Sequence, residues 1–209
     1  MAIICGCKPS KIDASDKKIT KPIVSKIPAK YDFKNALMPI QNQGQTNMCV
    51  TYAISSYLNW VADMKHKTPK KNNNVDLKEL YNARADKKHD NGMSIKEALL
   101  YLKTHGVKSG IGNIKINGYG IIGSTSIAKQ AIFANGPIVI ALPVYDDSKY
   151  DNFWDGSNLV GYHAVALVGY DEKGFILRNS WGTSYARQGY SYLSDADFMD
   201  KALECWTII

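Results

Sequence analysis

The sequence predicts an α+β fold. Helix-period apolar stripes fill its first half, β-rich runs divided by Gly, Asp and Asn fill its second, and the two kinds are not interleaved. The 209 residues allow a substantial core, in one domain or in two packed halves. An apolar fraction of 45% and a charged fraction of 22% are those of an ordinary globular protein, so global disorder is not expected. No stretch approaches roughly 18 apolar residues, which predicts no membrane span.

The folded unit begins near Ile27, where "IPAKYDF" starts an apolar/polar alternation. It is read as one domain over 27–209, mainly helical over about 27–120 and mainly β over about 121–209. The first helix starts near Cys49. Val50, Ala53, Ile54, Tyr57, Leu58 and Val61 fall on one helical face, and Thr46 and Asn47 are candidate N-caps. "TPKKNNN" reads as a loop. "VDLKELYNARAD" signals a second helix, with Asp76 as cap, Glu79 completing a capping box and Val75 as staple. "SIKEALLYLKTHG" repeats the logic with Ser94, Glu97, a stripe of Ile95, Ala98, Leu99 and Leu102, and Gly106 as stop. A shorter helix lies in "TSIAKQAIFANG". Strands follow in "PIVIALPVY", "HAVALVGYD", "GFILRNSW", "GYSYLS" and "CWTII", with "DEKG" as a hairpin turn.

Residues 1–26 read as a basic extension, carrying Lys8, Lys11, Lys17, Lys18, Lys21 and Lys26, with Lys30 just beyond. A solvated, mobile tail is its first reading. No nucleic-acid-binding signature accompanies the +7 net charge, so no nucleic-acid partner is expected. Four cysteines, Cys5, Cys7, Cys49 and Cys205, are too few for a disulfide scaffold. The C-x-C pair of Cys5 and Cys7 lacks a second pair and a nearby His, so no metal or other cofactor is expected. "MAIICGC" has no basic residue ahead of its short apolar run, a poor secretory signal. The expectation is an intracellular monomer.

Cys49 sits where a helix begins. The unpaired N–H groups and partial positive charge there favour thiolate over thiol. A small buried hydrophobe is the commoner fate of a free cysteine, so Cys49 needs support from elsewhere. His163 opens an otherwise apolar strand, and Asn179 closes the next. They lie 16 residues apart about the "DEKG" turn, so a hairpin there makes them approximate cross-strand neighbours.

"NQGQTNMC", "YHAVALVGYD" and "ILRNSWGTSYARQGY" together resemble the cysteine, histidine and asparagine blocks of papain-like cysteine peptidases, in the family's order. "IPAKYDFKN…PIQNQG" and "GYSYLS" extend the similarity from about Ile27 to the end. The resemblance implies a papain-like fold, a helical left half and a barrel-like right half with the active-site cleft between them. Carried over by position, it implies Cys49 as nucleophile, His163 as general acid/base, Asn179 as orienter of the imidazole and Gln43 as oxyanion donor. Trp181 would cover the Asn–His pair. Gly92 and Met93 would pair with substrate backbone, and Met93, Ala141 and Ala164 would wall a pocket for a bulky apolar residue. Residues 1–26 are too few for a folded prosegment but enough to lie in the cleft, where they would occlude the site or be clipped.

The chain departs from the pattern C-G-[SA]-C-[WY], having Thr46-Asn47-Met48-Cys49-Val50. The family's upstream disulfide cysteine is missing, as in its bacterial and viral branches. Tyr162 precedes the histidine where many relatives carry Asp or Asn. The expected function is a cysteine endopeptidase acting on a polypeptide. The alternatives are a Cys-His-Asn amidase or acyl-transfer enzyme on a non-protein substrate, and a non-catalytic peptide-binding relative.

Overall fold

The structure is a computed structural model that describes residues 5–66 and 74–209. Helix α1 (Cys49–His66) runs through the helical side. Its predicted stripe is buried throughout: Val50, Ile54 and Leu58 are fully enclosed, and Ala53, Tyr57 and Val61 nearly so. Neither predicted cap serves it. The Thr46 hydroxyl donates to the Gln43 carbonyl at 2.7 Å, and the Asn47 amide donates to the Asp90 carbonyl at 2.6 Å. Both side chains tighten the loop before the helix instead. Most of the predicted loop "TPKKNNN" falls outside the described residues.

Helix α2 (Leu77–Asn82) is capped by Asp76, which accepts from the Glu79 N–H. The box is only half made, because the Glu79 carboxylate accepts from the Lys108 N–H at 3.0 Å. Two residues, Met93 and Ser94, form a short strand, and helix α3 (Ile95–Thr104) follows directly. Its capping box is complete, and Ile95, Ala98, Leu99 and Leu102 are buried. Gly106 ends it with φ +82°, a conformation that favours glycine. The fourth predicted helix spans Thr125–Asn135, capped by Ser124.

In chain order the strands are β1 (Cys7–Lys8), β2 (Lys18–Ile19), β3 (Tyr31–Asp32), β4 (Met93–Ser94), β5 (Val107–Ser109), β6 (Gly112–Ile114), β7 (Tyr119–Ile122), β8 (Ile138–Tyr145), β9 (Leu159–Tyr170), β10 (Gly174–Arg178), β11 (Tyr190–Ser194) and β12 (Glu204–Ile208). The main sheet has the order β11-β10-β9-β8-β12-β7-β2, with β3 also on β9. It is open at β11 and β2, so the barrel-like half anticipated from sequence is an open sheet among the described strands. Its central strands are covered on both faces. Val139, Ala141, Ala164 and Trp206 join the core around α1, whereas Ile138, Ile140, Val165 and Leu167 join a second core on the other side. Double coverage explains why "PIVIALPVY" reads as a continuous apolar run rather than an alternation.

Residues 5–26 do not project as a free tail. Strand β1 pairs in parallel with β4, and β2 pairs in parallel with β7 at the sheet edge. Between them, Ser10 donates to the buried Glu204 at 3.0 Å, and the Lys96 ammonium meets Asp13 and Asp16 at 2.7 Å each. Further on, the Gln130 side chain accepts from Ile23 N at 2.8 Å.

Candidate active site

His163 is the fifth residue of β9 and not its first, because Leu159 to Tyr162 carry no alternation that marks them as strand. Its ring is fully buried, and Nε2 lies 2.8 Å from Asn179 Oδ1. Arg178 pairs with Ala166, so the continued ladder would put Asn179 opposite Val165, and the amide reaches His163 diagonally. Asn179 is held in turn: Oδ1 accepts from the Ser180 N–H at 2.7 Å, and its own N–H donates to the Gly189 carbonyl at 3.0 Å. Trp181 stacks on the imidazole with centroids 4.5 Å apart and planes 24° apart. Phe153 closes another side edge-on at 5.4 Å. Tyr150 and Tyr185 pack on Trp181 in turn.

Gln43 reaches the same place from the loop before α1. Its N–H donates to the Ser180 carbonyl at 2.8 Å. The Ser180 hydroxyl donates to Gln43 Oε1 at 2.6 Å, and Gln43 Nε2 donates to the Thr46 carbonyl at 2.8 Å. These contacts fix the amide orientation. A carboxamide nitrogen carries two hydrogens, so one remains for a ligand.

Cys49, fully buried, is the first residue of α1. Burial pushes its thiol up to about 11, against the opposing pull of the backbone N–H groups of Ala164, Gly6 and Val50. Ala164 follows His163 in β9, so α1 and β9 bring thiol and imidazole to one junction. Burial also pushes His163 down to about 4, and the Asn179 hydrogen bond only partly offsets it. Among the described residues, the buried Nδ1 has no hydrogen-bond partner, so it is not bonded to the thiol in this arrangement. Burial thus opposes charge on both groups in the covered site.

The cover is the N-terminal segment. The Met93 N–H donates to the Gly6 carbonyl at 3.1 Å, and Cys7 pairs with Met93. Gly6 approaches so closely that a Cβ on it would lie 2.2 Å from the Asn47 carbonyl oxygen, and a Cβ on Gly92 would lie 1.9 Å from the Gly6 oxygen. No other residue type fits at either place without displacing the strand. Gly92 and Met93 thus bind extended backbone here, the chain's own. Cys7 shares a buried cluster with Met93, Ala141 and Ala164. Ala164 pairs with Ala141 and Ala141 with Glu204, so these three stand in a row across β9, β8 and β12.

Sequence reading did not pick out Ser180, Phe153, Glu204 or Gly6. Ser180 lies inside the "NSWG" block, but its bond to Gln43 spans 137 residues. Phe153 and Glu204 have no local signature, since only the fold brings them to the cleft. Gly6 carried one signal, a glycine flanked by two cysteines.

The family model described as papain family cysteine protease matches residues 111–204, just under half of the chain. Gamete and mating-type specific protein A of Dictyostelium discoideum is 27% identical over 76% of this chain and 41% of its own length. Cathepsin K of Mus musculus is 26% identical over 89% of this chain and 65% of its own length, so the chain spans less than two thirds of each of these relatives. Among solved structures, xylellain, a cysteine protease from Xylella fastidiosa, superposes with a TM-score of 0.79 at 21% identity, over 98% of this chain and 95% of that one. Procathepsin B S9 from Trypanosoma congolense gives a TM-score of 0.78 at 13% identity, over 99% and 87%. Residues 111–204 thus match the papain family cysteine protease model, and the fold over the whole length is papain-like.

Proposed function

We propose that the chain is a cysteine endopeptidase that hydrolyses a polypeptide through an acyl-enzyme, and that it is latent while its N-terminal segment lies in the cleft. In this reading the uncovered Cys49 passes its proton to His163 Nδ1 and attacks the peptide carbonyl. The oxyanion is held by the spare hydrogen of Gln43 Nε2 and the Cys49 backbone N–H. His163 protonates the leaving amine, then draws a proton from the water that releases the acyl group. Asn179 and Trp181 keep the imidazole in one plane and one tautomer through the cycle.

The observation that carries a peptide substrate, rather than a small amide, is the main-chain bond from Met93 to Gly6. The cleft edge already pairs with extended backbone, a mode that gives affinity regardless of side chain. Side-chain preference then falls to the residues near Cys7, which pairs with Met93. In that buried cluster Met93, Ala141 and Ala164 are apolar, but the row of Ala164 and Ala141 ends at Glu204.

Digestion of a peptide library tests the reading, with Cys49→Ala as control. Internal cleavage by the wild-type chain that the variant lacks supports it. Transfer to an added amine without hydrolysis of any peptide bond would instead assign the site to acyl transfer.

A further inference from the structure

The proposed mechanism uses one of three thiols gathered at the cleft. Cys5 packs on β9 two residues before His163: a Cβ on Gly161 would lie 2.6 Å from the Cys5 Cβ and 3.1 Å from its sulfur. The next residue, Gly6, lies against the backbone of Asn47, two positions before Cys49. Cys5 is thereby held between the strand that carries His163 and the start of the helix that carries Cys49. Cys7 lies beyond Gly6, sealed at 5% exposure in the same buried cluster as Cys49. The thiols also sense one another: charge on Cys5 raises both Cys49 and Cys7, and charge on Cys49 raises Cys7. They differ in access. Cys7 and Cys49 are buried, whereas Cys5 is only partly covered, so a solute reaches Cys5 first.

We propose that Cys5 and Cys49 form a reversible disulfide that locks the N-terminal segment over the cleft, with a low-molecular-weight disulfide such as oxidised glutathione as oxidant. The Cys5 thiolate attacks one sulfur of glutathione disulfide. A mixed disulfide forms, the glutathione S–S bond breaks, and one glutathione leaves as thiolate. Cys49 then attacks the Cys5 sulfur and gives its proton to the departing glutathione. The Cys5–Cys49 bond forms and the second glutathione leaves. Two protein thiols are oxidised by two electrons, one glutathione disulfide is reduced to two thiols, and the two protons end on those thiols. Reduction by the same exchange in reverse frees Cys49.

The effect on turnover rests on the peptidase reading; the bond itself does not. The test is made on the full chain. It is oxidised with glutathione disulfide, denatured, alkylated, digested without reduction and mapped by mass. Peptides of Cys5 and Cys49 are expected joined in the wild type and in Cys7→Ser, absent as a pair in Cys5→Ser, and separated by dithiothreitol. Peptide hydrolysis and labelling of Cys49 by a thiol-directed epoxide should both fall on oxidation and return on reduction, except in Cys5→Ser. A Cys5–Cys7 link, or full alkylation of Cys49 after oxidation, overturns the proposal. If the pair joins but no peptide is cut in either redox state, the lock stands and the peptidase reading fails. If peptides are cut and no link forms, the reverse holds.

Discussion

The two sides of the cleft are built differently. On the sheet side, His163 is fixed within one body by the Asn179 amide, by Trp181 on its face and by Phe153 on its edge. None of those contacts depends on residues 5–26. On the helix side, the environment of Cys49 includes the backbone of Gly6, part of a strand held in the cleft by few bonds. The imbalance teaches that the contacts orienting the imidazole lie within the sheet side, whereas the surroundings of the thiol include the N-terminal strand.

The largest effect expected is from Cys49→Ala. It should remove turnover by on the order of 10⁶-fold, by analogy with nucleophile deletion in another hydrolase, and leave the thermal midpoint nearly unchanged. A variant that still cleaves peptides would move the nucleophile elsewhere. Gln43→Ala tests the bridge between the two sides. Loss of one oxyanion donor should cost about 3 kcal/mol in the barrier, read as a drop in kcat. Wild-type kcat in this variant would remove Gln43 from the oxyanion site.

Gly6→Val separates the two sides most directly. Its side chain would collide with the Asn47 backbone, so the strand must leave the cleft. Two or three lost contacts at about 1 kcal/mol each predict at least a tenfold faster epoxide labelling of Cys49. An unchanged rate would mean that the strand does not control access.

The smallest effect is on stability against pH. The folded-state pKa of His163 lies near 4, below its ordinary 6.5, so its contribution is complete above about pH 6.5. It declines as the pH falls toward 4, where the opened or unfolded chain takes up a proton that the covered ring refuses. Glu204, whose pKa is raised by burial, acts the other way, because its protonation favours the folded state in acid. Comparing the slope of denaturation midpoint against pH in the wild type and His163→Gln isolates the histidine. Equal slopes would contradict the assigned burial.

What was legible in the sequence follows the same division. Helix α3 could be read to its cap because Ser94, Glu97 and Gly106 act within one turn of the backbone they satisfy. His163 and Asn179 could be paired because a hairpin joins them. Thr46 and Asn47 had the right chemistry for caps but were drawn to Gln43 and Asp90 by tertiary contacts that no local pattern encodes. The same holds for Glu79, whose carboxylate serves Lys108 instead of its own helix start. The N-terminal segment was the hardest to read. Its lysines suggest solvent, yet two strand pairings, the bonds of Asp13 and Asp16 to Lys96, and acceptors on Gln130 and Glu204 hold it down.

The pairing of β2 with β7 has one more consequence. A segment anchored at residues 18–19 cannot diffuse away when residues 6–7 leave their groove. Glu204 and Lys96 also hold Ser10, Asp13 and Asp16, so only a few residues separate a lifted strand from its nearest anchor, and its effective concentration at the groove is at least about millimolar. Under the proposed peptidase reading, an incoming peptide would therefore have to outcompete a captive rival rather than simply arrive.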